Sequence, residues 1–210
     1  VAAHPEVEGV MLAGHGIICW ADSAKACYEH SVRLIADAAA YLNAAMAGQP
    51  AFGGRATPIL PPDERAAVAA DLMPRLRGLM VDDSGASRRK LGHFSDDAEA
   101  LEFVSSHDFA RLAALGTSCP DHFLRTKIAP LTLYPARLTD DAYLAAQIAD
   151  YRALYAAYYD RCKRANSPAM RDPNPVVVLV PGVGRISFAN DKTTARLAGE
   201  FYGNAINVMR

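Results

Sequence analysis

Two short stretches, LAGHG at 12–16 and VPGVG at 180–184, constrain the fold more than any other feature of the chain. In each, an apolar run ends on Gly-x-Gly. A second short apolar run follows, then a polar pair able to cap a helix, then a long helical pattern. Setting Gly14 on Gly182, an offset of 168 residues, brings Leu12 onto Val180, His15 onto Val183, Gly16 onto Gly184, Trp20 onto Phe188 and Asp22 onto Asn190. Matching glycines, aromatic and cap together argue for an internal repeat rather than shared punctuation. Neither copy carries the further glycine of a dinucleotide fingerprint or the Gly-Lys-Ser/Thr of a phosphate loop, so nucleotide binding is set aside here.

Between the copies the pattern is mostly helical. Asp22-Ser23 can cap a helix whose apolar stripe is Tyr28, Val32, Ile35, Ala39, Leu42 and Met46. A Gly/Pro-rich connector covers 47–62, and a helix from about 63 to 80 contains Pro74, a kink position. Residues 82–90 read as a polar loop, in which Ser87-Arg88-Arg89-Lys90 is a solvated charge run. LGHFS at 91–95 reads as a strand, followed by two short helices. A long helix from about 140 to 163 has Leu144, Ile148, Tyr151, Tyr155, Tyr158 and Cys162 on one face. The buried strand PVVVLV, a second strand RISFA and an Asn190-Asp191 cap lead into the last helix.

The balance of charge narrows the function classes. The net charge is −1, with 21% charged and 51% hydrophobic residues, so no strong field draws the chain to nucleic acid or an anionic membrane. No apolar run reaches membrane-spanning length. Four scattered cysteines without a CxxC pair predict reduced thiols in a cytoplasmic protein. Cys119, next to Pro120, has no assignable base to make it a nucleophile. The chain opens at Val1 and stops within a helical pattern, and so reads as an excerpt of a longer one.

His15 is the chemically useful difference between the copies. A histidine at the end of a strand, flanked by glycines, is either a turn residue or an imidazole aimed into a cleft. Neutral imidazole is a common zinc ligand, and a catalytic zinc takes about three protein ligands with one position open. A second cluster lies in CPDHFLRTK, where His122, Arg125, Thr126 and Lys127 could bind a phosphate or other anion. The same residues could equally form a capped turn starting at Asp121, or an interface salt-bridge network.

The stretch GVMLAGHGIICWADSAKACYEHSVRLIADAAAYL resembles the class II aldolase/adducin family. The segments CPDHFLRTK (119–127) and MRDPNPVVVLVPGVGRISFANDKTTARLAGEFYGNAINVM (170–209) are similar to the aldolase-side region of bifunctional rhamnulose-phosphate aldolase/short-chain dehydrogenase proteins. The resemblance implies a three-layer α/β/α fold with a mixed, mostly antiparallel sheet. It implies His15 as the third zinc-binding histidine of an aldolase. It also implies zinc-dependent cleavage of a ketose phosphate, such as L-rhamnulose 1-phosphate, to dihydroxyacetone phosphate and lactaldehyde. A covalently linked dehydrogenase domain, absent here, would convert the aldehyde with NAD.

The departures matter equally. The family's His-x-His pair and catalytic acid precede the third histidine, and the residues before His15 supply neither. No catalytic residue is therefore assigned, and the chain alone is expected to be inactive. In the second copy, FVSSHDFARLAALG resembles the His-x-His segment, with Ser105 at the first histidine, His107 at the second and Val183 at the third. One histidine of three makes these degenerate, non-metal positions.

The resulting expectation has three parts. Residues 1–46 are the terminal strands and helix of an aldolase module, 47–80 a connector with a helix, and 81–210 a degenerate aldolase-like module. The substrate is a small phosphorylated sugar and the assembly a homo-oligomer, with no nucleic acid or membrane partner. The competing reading is a non-catalytic, adducin-like assembly scaffold. A weaker one is an anion-binding module built on Arg125 and Lys127.

Overall fold

A computed structural model describes residues 3–13, 15–81, 90–117 and 120–210, and the chain divides into two compact units, 1–50 and 51–210. The polar loop expected at 82–90 lies outside the described residues apart from Lys90. Gly14 and Cys119 also lie outside them.

In the first unit, β1 (Gly9–Leu12) pairs antiparallel with β2 (Gly16–Cys19), placing Leu12 opposite Gly16. Helix α1 (Ala24–Ala45) starts at Ser23, whose hydroxyl accepts from the Ala26 N–H. The apolar stripe read from the sequence is exposed: Tyr28, Val32, Ile35, Leu42 and Met46 all face solvent. Ala26, Cys27, His30, Ser31, Leu34 and Ala38 are partly covered residues of the helix. Cys27 donates its thiol to the Cys19 carbonyl, which ties α1 to the hairpin.

The second unit is built on a four-stranded sheet in the order β3 (Leu91–Ser95), β6 (Gly184–Ala189), β5 (Val177–Val180), β4 (Leu131–Thr132). The β3–β6 and β6–β5 pairs are antiparallel and β5–β4 is parallel, so the sheet is mixed. Its helices are α2 (Pro62–Leu79), α3 (Ala98–Val104), α4 (Phe109–Ala113), α5 (Pro120–Thr126), α6 (Asp141–Cys162) and α7 (Lys192–Met209). Pro74 lies inside α2, which runs on through it. Asp97, Asp140 and Asp191 cap α3, α6 and α7 by accepting from Ala100, Tyr143 and Thr194 N–H groups. Among the described residues, no helix is long and apolar enough to cross a membrane.

β5 explains its own continuous apolar sequence. Val178 and Val180 belong to one core with Leu72 and Leu76 of α2, Leu144 and Ile148 of α6, and Ile186 and Phe188 of β6. Val177 and Leu179 belong to another with Phe103 of α3, Phe109 of α4, and Tyr202 and Ile206 of α7. A strand buried on both faces reads as an unbroken apolar run rather than an alternation. Phe103 meets Phe52 and Phe109 edge-on, at ring separations of 5.2 and 5.6 Å.

The repeat seen in the sequence is also a repeat of backbone geometry. The His15 N–H donates to the Leu12 carbonyl at 3.0 Å, and the Val183 N–H to Val180 at 3.1 Å. Gly16 has φ 132° and Gly184 φ 137°. Trp20 N–H donates to Glu8, and Phe188 N–H to Val176. Ser23 and Asp191 cap the following helices. Every one of these pairs is separated by 168 residues.

Candidate functional site

His15 is exposed at the tip of β1–β2. Among the described residues, no three His, Cys, Asp or Glu side chains gather into a group able to hold a metal ion. A charged cluster of this unit centres on Glu8, whose carboxylate takes Arg33 and approaches His30 Nε2 at 3.5 Å.

At the equivalent turn of the second unit, Val183 is buried beside Ser105. The Gly182 N–H donates to the Ser105 hydroxyl at 3.3 Å, so the segment that resembles a His-x-His motif does reach this turn. The place is closed by residues 54–60. Ala56 and Thr57 N–H groups donate to the Ser105 carbonyl at 2.7 and 3.0 Å, and Leu60 N–H to the Gly182 carbonyl at 2.9 Å. His107 is exposed and its N–H is held by the Gly54 carbonyl. A hydroxyl already engaged, a valine and an outward histidine do not fit a zinc centre, which needs about three converging donors.

The other sequence cluster is divided by the fold. His122 meets the Phe201 ring of α7, centroids 5.1 Å apart. Arg125 is exposed. Thr126 is buried, its hydroxyl within 3.1 Å of the His122 and Lys127 carbonyls. Lys127 departs from the helix. It takes a left-handed φ of 67°, and its ammonium lies 3.8 Å over the Tyr155 ring of α6 while donating to the Asp172 carbonyl.

Asp172 joins this lysine to a network that residue spacing did not reveal. Its carboxylate accepts from Lys90 at 2.5 Å and from the backbone and side-chain amides of Asn174 at 2.9 and 2.8 Å. Asn174 is buried, donates to the Met80 carbonyl and accepts from Arg152, which in turn donates to Leu79. Burial alone would raise the Asp172 pKa, but the Lys90 and Asn174 hydrogen bonds and the nearby cations hold it below the ordinary carboxylate range. Burial pushes Lys127 down to about 8, with Lys90 and Arg171 adding to the effect and Asp172 opposing it. Burial also raises the phenols of Tyr151 and Tyr155. The visible sequence signal was RDPNP at 171–175, in which Asp172 and Asn174 each precede a proline.

Lys127, Tyr155, Tyr158, Phe123, Pro168 and Arg171 line a cavity of about 250 Å³ that opens to solvent. The two most distinctive sequence segments, CPDHFLRTK and RDPNP, therefore meet at one place.

The family model for "Aldolase class II, second domain" matches residues 67–210. The chain is 28% identical over 215 residues to the uncharacterized oxidoreductase YuxG of Bacillus subtilis (strain 168), an alignment covering 100% of this chain and 30% of that protein. The chain thus spans less than a third of the curated relative it matches. No solved structure matches it.

Proposed function

The chain belongs to the class II aldolase second-domain family, and from that premise we propose that it is the aldolase side of a bifunctional sugar-phosphate aldolase/dehydrogenase. The full protein would cleave a ketose phosphate such as L-rhamnulose 1-phosphate to dihydroxyacetone phosphate and lactaldehyde with zinc. A linked NAD-dependent domain would then convert the aldehyde. The oxidoreductase name of the longer relative supports the second half of this reading.

The duplicated hairpin carries the proposal. His15 and Val183 hold the same backbone place in the two units, donating to Leu12 and Val180 respectively. Residues 1–46 are on this reading the end of a catalytic module, and 81–210 a degenerate module joined to it through 47–80. The two cores against the two faces of the sheet support a three-layer α/β/α architecture for the degenerate module. With Ser105 and Val183 buried under residues 54–60, its role is structural.

This chain does not form a zinc site from its described residues. His15 would contribute one exposed imidazole to a centre completed by other parts of the full protein or by a second copy in a cytoplasmic homo-oligomer. Elemental analysis of the full-length protein and its His15→Ala variant tests this. About one zinc per chain, lost in the variant, supports the reading. Zinc retained in the variant, or none in the parent, removes His15 from the metal site and favours an adducin-like scaffold.

A further inference from the structure

Lys127 takes no part in the hairpins or in either hydrophobic core, yet the fold places it with care. Helix α5 ends at Thr126, and the Lys127 N–H returns to the Phe123 carbonyl at 2.9 Å. This is a left-handed helix stop, the position at which glycine is favoured because a side chain there costs about 1 kcal/mol. A strained backbone kept at such a position directs attention to what the side chain does.

The side chain enters the cavity between α6 and residues 168–171, against the ring of Tyr155. The walls are largely aromatic and aliphatic. Among the described residues, the charged groups acting on the amine are Asp172, Lys90 and Arg171. Asp172 offers it a backbone carbonyl, while its carboxylate is engaged by Lys90 and Asn174. Burial in this apolar setting and the two neighbouring cations favour the neutral amine and outweigh the Asp172 carbonyl and the Tyr155 ring, which favour the ammonium. A desolvated lysine beside other cations is nucleophilic near neutral pH.

We propose that Lys127 is a reactive amine that condenses reversibly with a small aldehyde entering this cavity. The unprotonated Nζ attacks the carbonyl carbon, forming a C–N bond while the carbonyl π pair moves to oxygen, which takes a proton. The carbinolamine then loses its hydroxyl and the nitrogen proton as one water, leaving a C=N bond; aldehyde plus amine gives imine plus water. The Asp172 carbonyl can hold an N–H of the amine during attack, and the apolar walls favour a neutral, compact aldehyde over a charged sugar phosphate. The proposal is independent of the zinc reading, since it uses no residue of the hairpins.

The test is reductive trapping on the intact chain with propionaldehyde and cyanoborohydride across pH 6–10, read by peptide mass spectrometry at each of the five lysines. Near pH 7.5, Lys127 should be alkylated at least ~10-fold faster than Lys25 and Lys163, since far more of its amine is unprotonated. Its rate should rise with a midpoint near 8. Lys127→Arg should abolish that adduct and leave the other lysines unchanged. Tyr158→Trp, which narrows the cavity, should slow Lys127 alone. Alkylation at the rate of the exposed lysines, a midpoint above 10, or indifference to Tyr158→Trp would overturn the proposal. Lys127→Gly, which suits the left-handed backbone, provides a folded control if the arginine variant is unstable.

Discussion

The backbone N–H of Gly182 donates to the side-chain hydroxyl of Ser105 across 77 residues of sequence, at 3.3 Å, where both groups are buried. This bond joins the segment after α3 to the turn between β5 and β6, and residues 54–60 close over it. The polar contact is the kind a buried turn requires, because an unpaired N–H there costs about 1–3 kcal/mol.

Ser105→Ala should therefore destabilise the chain by about 1–2 kcal/mol, read by urea unfolding. Ser105→His should cost more, since an imidazole does not fit under residues 54–60 without displacing them. It should not restore metal binding on its own, because Val183 still offers no donor. Unchanged stability in Ser105→Ala would mean the Gly182 N–H finds another partner.

Two glycines in helices should respond with opposite signs. A Cβ at Gly199 of α7 would come within 2.9 Å of the Ser187 hydroxyl, which is buried and donates to the Ala195 carbonyl at 2.6 Å. Gly199→Ala should destabilise by about 1–3 kcal/mol through overpacking. A Cβ at Gly78 of α2 meets nothing within 4 Å. Gly78→Ala should stabilise by roughly 0.5–1 kcal/mol through helix propensity. Melting temperatures of the pair check both signs.

Asp97 couples a helix cap to a buried cation. Its carboxylate accepts from the Ala100 N–H at 2.8 Å and from Ser95 at 2.6 Å, and pairs with the buried Arg185 at 3.1 Å. Burial works to raise its pKa, but Ser95, Ala100 and Arg185 outweigh it and hold the group below its ordinary 3.8. The stabilisation is therefore present above the ordinary carboxylate value and lost as pH falls through the folded one. Asp97→Ala should cost about 1–2 kcal/mol near neutrality, the cap included and the ion pair discounted for the half-exposed carboxylate, and the difference from the parent should shrink in acid. An equal loss at all pH values would remove the ionic part of the argument.

Lys127 gives the opposite slope. Its folded pKa, about 8, lies below its ordinary 10.5, so the charged amine opposes folding at neutral pH. Between those values the unfolded chain binds the extra proton, and stability conferred at this site rises with pH. Lys127→Gly should thus be more stable than the parent near pH 7. After allowance for solvent screening the charge contribution is on the order of 1–2 kcal/mol. That part of the gain should fade by pH 10, and a gain constant with pH would leave only the backbone effect.

Local features were readable from the sequence because they depend on near neighbours. The two Gly-x-Gly turns, the Ser23 and Asp191 caps, the long helices and the unbroken apolar β5 follow from hydrogen bonds and burial within a few residues. The repeat at 168 residues was visible for the same reason, since each copy writes its own turn and cap. The apolar stripe of α1 shows the limit: periodicity reveals that a face exists, and Tyr28, Val32 and Ile35 are nevertheless exposed. Seven adjacent residues at 121–127 looked like one cluster. The left-handed step at Lys127 instead separates its side chain from that of His122 and delivers it to Asp172, 45 residues away. Only tertiary packing could decide that, because burial between α6 and the residues after it determines which charges meet and how strongly they hold their protons.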